Sequence, residues 1–163
     1  MNAIELLKAD HARVQALFRQ YEGAGERHAQ QRELAEQIFT ELEVHATLEE
    51  ELFYPALRGQ LEQETTGQEI EDDEPEDGEE DLVAEALEEH QEMKALIAAL
   101  RAMDPGDGQF HAKFAELREG VEEHVGMEED ELMPDAVAAL GGELERLGRE
   151  MEERKTQLMA GKS

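Results

Sequence analysis

The chain has 163 residues and a mass of 18.4 kDa, one domain's worth, with 43 acidic against 15 basic residues and a formal net charge of −28. That charge repels phosphate backbones and anionic lipid, so nucleic acid and membrane surfaces are excluded as expected partners. The absence of cysteine removes disulfides, thiolate metal sites and cysteine nucleophiles together.

No apolar run is long enough to span a bilayer, and the N-terminus MNAIELLKADH has neither a basic n-region nor an apolar h-region. The expectation is a soluble, cytoplasmic protein. Alanine, leucine and glutamate fill long stretches without proline, and aromatic residues make up 4% of the chain. The fold class is therefore all-α.

Asn2 followed by Glu5 reads as a capping box that opens the first helix. Ile4, Leu7, Val14, Phe18 and Tyr21 form its apolar stripe, His11 fills the gap, and Gly23 and Gly25 end it. A second helix is expected from Ala29 to Arg58, with Ala35, Ile38, Leu42, His45, Glu49 and Leu52 on one face. Residues 60–79, with the acid run Glu71–Glu80, read as a solvated linker; no lysine or arginine occurs from Gly59 to Met93.

A third helix begins near Glu79–Asp81 and aligns Val83, Ala86, His90, Met93, Ile97 and Leu100. Asp104-Pro105-Gly106-Asp107 breaks the chain, and Asp107 is the expected N-cap of a fourth helix. That helix presents Phe114, Leu117, Val121, His124, Glu128 and Leu132, and closes at Gly141-Gly142. Residues 143–159 form an amphipathic fifth helix (Leu144, Leu147, Met151, Leu158) that packs on the bundle or on another subunit. The pattern predicts an up-down-up-down four-helix bundle over residues 1–140, with residues 141–163 as an additional C-terminal helix and tail.

The two halves superpose at one constant offset. His11 maps onto His90, His45 onto His124 and Glu49 onto Glu128, while Val14, Phe18, Ile38 and Leu42 map onto Met93, Ile97, Leu117 and Val121. Four of the six histidines keep this offset, and all four lie within core stripes. His45/Glu49 and His124/Glu128 are i, i+4 pairs, so each offers an imidazole and a carboxylate in one direction. A buried carboxylate beside neutral imidazoles has no obvious partner except a cation. At about 1.5 Å rise per residue, His11 and His45 each lie about 20 Å from the turn between them, and the second pair behaves alike. The six residues His11, His45, Glu49, His90, His124 and Glu128 are thus the candidate metal ligands.

The pattern carried by DHARVQALF, HATLEEELFYP, EHQEMKALI and HVGMEEDELMP resembles the hemerythrin-like, or HHE cation-binding, family over residues 3–140. The resemblance implies a non-haem di-iron site, two iron ions bridged by two carboxylates and an oxo or hydroxo group, with histidines as terminal ligands. Nitrogen and oxygen donors without thiolate suit iron, manganese or zinc, and two metals bridged by carboxylates inside a helix bundle favour iron. No histidine has a glutamate three residues before it, which rules out the ferritin-like Glu-x-x-His arrangement, and no HExxH occurs.

Oxygen-carrying members of the family add a histidine one turn after the one on the third helix; here that position is Lys94, whose repeat mate is Gln15. The resemblance then implies a symmetric site, His11 with His45 and His90 with His124, Glu49 and Glu128 bridging, and one open position per iron. Such a site suits reaction with oxygen or peroxide in sensing or stress defence, with peroxide decomposition as the enzymatic possibility. Iron handling of the kind performed by di-iron iron–sulfur cluster repair proteins, or reversible oxygen binding, is the alternative. A monomer or weak homodimer is expected.

Tyr54 precedes Pro55, where the helix is expected to bend or end, so its phenol is read either as a boundary aromatic or as an additional ligand. Glu41, Glu50, Glu89 and Glu129 lie beside the motifs within reach of imidazoles but read as charged surface. His28 and His111 read as surface residues.

Overall fold

The computed structural model describes residues 1–65 and 79–161. The first helix, α1 (Ala3–Gly23), opens on the expected capping box: Asn2 Oδ1 accepts from the Glu5 N–H at 2.9 Å, and Glu5 Oε1 accepts from the Asn2 N–H at 3.4 Å. After a turn in which Gly25 takes a positive φ of 58°, α2 (His28–Leu48) runs antiparallel to α1. It continues through a single π-turn (Glu49–Phe53) into α3 (Tyr54–Thr65).

The helix does not end at Pro55 but passes it through the π-turn. The Tyr54 N–H bonds to the Glu49 carbonyl, five residues back. This wider turn admits a proline ring that a regular α-helical turn would strike. Residues 60–65 are helical rather than linker, since Gln60 to Thr65 hold no glycine or proline to stop the helix. Most of the acid run lies outside the described residues.

The second half repeats the pattern. Helix α4 spans Glu79–Arg101, and α5 (Gly108–Met127) is capped by Asp107, whose side chain accepts from the Gln109 N–H at 2.9 Å. A second π-turn (Glu128–Leu132) leads into α6 (Met133–Leu140), with the Met133 N–H on the Glu128 carbonyl just before Pro134. Gly141, at φ 48°, turns the chain into α7 (Glu143–Ala160).

The apolar residues gather in two clusters. One, near the two interhelical turns, is built on Phe18, Phe39, Phe114, Leu117 and their neighbours. There Phe114 stacks on Tyr21 at 4.0 Å between ring centroids and meets Phe18 edge-on at 5.4 Å. The other, at the far end, joins Leu7, Leu48, Phe53, Leu57 and Leu132 to Leu144, Leu147 and Met151 of α7. Helix α7 therefore packs on α1 and α2 of its own chain, each buried Leu or Met contributing about 1.5–3 kcal/mol. Gly148 makes that crossing possible: a Cβ built there would stand 2.6 Å from Asn2 C and 2.8 Å from Ala3 N. Among the described residues no helix is long and apolar enough to cross a membrane.

Candidate metal centre

Between the two apolar clusters lies a layer of buried polar side chains: Asp10, His11, His45, Glu49, His90, His124 and Glu128. All six candidate ligands meet there, each pair set by its own hairpin. His11 from α1 and His45 from α2 face one another, Nε2 to Nε2, at 3.2 Å; His90 from α4 and His124 from α5 do the same at 3.2 Å. The two glutamates sit at the first residue of each π-turn, and both are 0% exposed.

Each glutamate approaches imidazoles of both halves. Glu49 Oε1 lies 3.2 Å from His45 Nε2, 3.1 Å from His90 Nε2 and 3.8 Å from His124 Nε2. Glu128 Oε1 lies 2.7 Å from His124 Nε2 and 3.7 Å from His11 Nε2. Two clusters result, His11/His45/Glu128 and Glu49/His90/His124, in each of which the donor atoms lie within 4.8 Å of one another.

The donor set fits a cation. Glu49 Oε2 and both carboxylate oxygens of Glu128 are buried without a well-formed hydrogen bond, a costly state for ionised groups. The opposed Nε2 atoms also need a proton or a cation between them, because at so short a separation two lone pairs repel. Without metal the site draws in protons. Burial works against charge on His45, but Glu49, Asp10 and Glu128 outweigh it and push the imidazole up to about 10. Burial likewise opposes charge on His124, yet Glu128, Glu49 and Glu89 lift it to about 12. Burial would raise the Glu49 carboxyl, but His45, Glu128 and His124 hold it well below the usual range.

The outer nitrogens follow the repeat as well. His45 Nδ1 donates to Asp10 Oδ2 at 3.0 Å, and His124 Nδ1 stands 3.3 Å from Glu89 Oε1. Asp10 and Glu89 are themselves related by the repeat offset. His11 Nδ1 faces Glu129 at 3.4 Å, and His90 Nδ1 faces Glu50 at 3.6 Å. Glu89 thus backs His124 by a hydrogen bond, while Glu50 and Glu129 stand beside His90 and His11 as nearby charges, those two Nδ1 atoms having no well-formed hydrogen bond. Glu41 does not: it is buried and paired with Arg13 Nε at 2.8 Å. Sequence reasoning missed Asp10, although its offset from Glu89 marked it.

Tyr54 is a core residue, 2% exposed, not a boundary aromatic. Its ring stacks on His90 with centroids 5.7 Å apart. Its hydroxyl has no well-formed hydrogen bond, and burial together with the Glu49 charge keeps it protonated far above the ordinary phenol range. Lys94 turns away from the layer's centre to Glu50, Nζ to Oε2 at 2.9 Å. His28 and His111 are exposed as expected, His111 Nδ1 meeting the Tyr21 hydroxyl at 3.1 Å.

A four-helix bundle with two repeat-related imidazole–carboxylate clusters across its middle defines a class of helical metal-site proteins. The Hemerythrin HHE cation binding domain matches residues 2–136, and the chain belongs to that family. A DNA nickase from Nostoc sp. (strain PCC 7120 / SAG 25.82 / UTEX 2576) is 29% identical over 163 residues, which is all of this chain and 40% of that protein's length. The crystal structure of a Hemerythrin HHE cation binding domain-containing protein from Mycobacterium kansasii shares the fold, with a TM-score of 0.78 at 23% identity over 99% of this chain and 89% of that one.

Proposed function

We propose that the chain is a cytoplasmic non-haem di-iron protein that binds or reacts with oxygen or hydrogen peroxide in redox sensing or oxidative-stress defence. The observation that carries this reading is the pair of buried clusters in which Glu49 Oε2 and both Glu128 oxygens lack a well-formed hydrogen bond. His11 and His45 would hold one iron, His90 and His124 the other, and Glu49 and Glu128 would bridge them. A bound iron pair supplies two-electron redox chemistry toward a small oxidant.

The residues around the site select that oxidant by size and polarity. Asp10, His11, His45 and His124 line one side of a small internal cavity, and Val14, Leu42, Met93, Val121 and Val125 line the rest. A space this small and largely apolar favours a ligand of a few atoms over a larger substrate. Tyr54 packs against His90 and restrains that ring.

Lys94, paired with Glu50, stands where oxygen carriers of the family place a further histidine, which favours reaction over reversible carriage. Iron handling remains the second reading, since the same donors would serve a transit site. The Nostoc protein's name describes a much longer chain, and a net charge of −28 opposes approach to a duplex. The partners proposed here are therefore small molecules, with no nucleic acid or membrane surface, acting on a monomer or weak homodimer.

Purified protein grown with iron should contain close to two irons per chain, and the reduced protein should oxidise rapidly when mixed with hydrogen peroxide or oxygen in a stopped-flow cell. One tightly held zinc with no second site after iron loading would overturn the reading.

A further inference from the structure

The C-terminal helix reaches the metal layer through one side chain. Lys155 Nζ contacts Asp10 Oδ1, while the other oxygen of Asp10 accepts from His45 Nδ1 at 3.0 Å. Asp10 is 4% exposed, so a carboxylate there stays ionised only beside partners that offset its lost hydration. Lys155 and His45 are those partners.

The geometry points to Lys155 as a positioning residue: by fixing Asp10 from α7 it holds His45 in the tautomer and orientation that turn Nε2 toward the metal layer. The inference rests on the metal-centre reading given above. The physical logic is that a carboxylate bound on one side only can rotate toward solvent, and the imidazole N–H it orients then loses its anchor.

No equivalent chain serves the other three imidazoles among the described residues. Glu89, the repeat mate of Asp10, pairs with His124 but with no lysine or arginine. Lys94 and Glu50 come nearest, yet Glu50 stops 3.6 Å from His90 Nδ1, beyond hydrogen-bond reach. Glu129 faces His11 without a cation of its own. The two halves, so alike in their ligands, therefore differ in how firmly one histidine is held, and the difference comes from outside the four-helix bundle.

The test uses the full-length protein in iron-loaded and metal-free forms. Release of iron to an excess of a strong chelator should be biphasic in wild type, and Lys155→Ala should accelerate one phase by about 10-fold or more. Lys155→Arg should restore the slow phase. Arg154→Ala is the control for helix docking: it removes the neighbouring α7 ion pair, Arg154 Nε to Glu51 Oε2 at 2.8 Å, without touching Asp10, and should leave release unchanged. In metal-free protein, nitrogen-15 NMR should show the His45 Nδ1–H protected from exchange with water in wild type, held on Asp10, and exchanging at least about 10-fold faster in Lys155→Ala. Wild-type release rates in Lys155→Ala, equal acceleration by Arg154→Ala, or unchanged exchange protection of the His45 Nδ1–H would each overturn the inference. Failure of wild type to bind two irons would instead defeat the metal-centre reading, and the metal-free NMR comparison would still decide whether Lys155 orients His45.

Discussion

Replacing Gly148 with alanine adds one methyl group at the crossing of α7 over the start of α1. In an open helical position that change stabilises, because alanine gains about 1 kcal/mol over glycine in helix propensity. At Gly148 the new Cβ would stand 2.6 Å from Asn2 C and 2.8 Å from Ala3 N, with the Met1 carbonyl oxygen nearer still. All three are backbone atoms, so no side chain can swing aside and α7 must retreat. Overpacking costs about 1–3 kcal/mol, and contact with backbone alone puts this site in the upper part of that range, about 2–3 kcal/mol; less the propensity gain, the net loss is about 1–2 kcal/mol. For a chain of this size that lowers Tm by about 2–8 °C. Gly120→Ala, on α5 with nothing within 4 Å of its Cβ, should instead raise Tm by about 1–4 °C. Thermal unfolding of both metal-free variants by far-ultraviolet circular dichroism makes the comparison. A Gly148→Ala protein as stable as Gly120→Ala would refute the close packing of α7 against the N-terminus.

If Glu49 and Glu128 both bridge, Glu49→Ala should remove nearly all iron, whereas His45→Ala should keep about one of two ions; metal analysis on folded protein that finds the reverse order makes Glu49 a supporting group. The metal-free protein should also lose stability in alkali. His45 and His124 are raised from 6.5 to about 10 and about 12, so their contribution is fully present below about pH 6.5 and is lost as pH rises through the raised values. The Tm of metal-free protein should therefore fall from pH 7 to pH 10, and a flat or rising profile would contradict proton storage at the site.

Much of the site was legible because the repeat supplied its own internal control. One constant offset between the two halves singled out the six candidate ligands, which the fold brings together, without any knowledge of packing. The helix caps at Asn2 and Asp107 were equally readable, since capping is decided within three residues. Three features were not. Pro55 signalled a helix bend or end rather than a π-turn, because a π-turn is a local accommodation that propensity does not record; its only trace was a second proline, Pro134, at the repeat offset. Asp10 looked like one acidic residue among 43 until its neighbours were known. Lys155 reaches Asp10 across 145 positions of sequence, a contact fixed by how α7 crosses the bundle and not by any local pattern.

Neither hairpin can close a metal cluster alone. Each three-donor group takes two imidazoles from one half and its carboxylate from the other: Glu128 joins His11 and His45, and Glu49 joins His90 and His124. In a zinc finger the ion organises a chain too short to fold without it. Here the apolar clusters on either side of the polar layer must already have docked the two hairpins before three donors converge. A chain whose two hairpins have not yet paired therefore has no complete three-donor group in which to hold a metal ion.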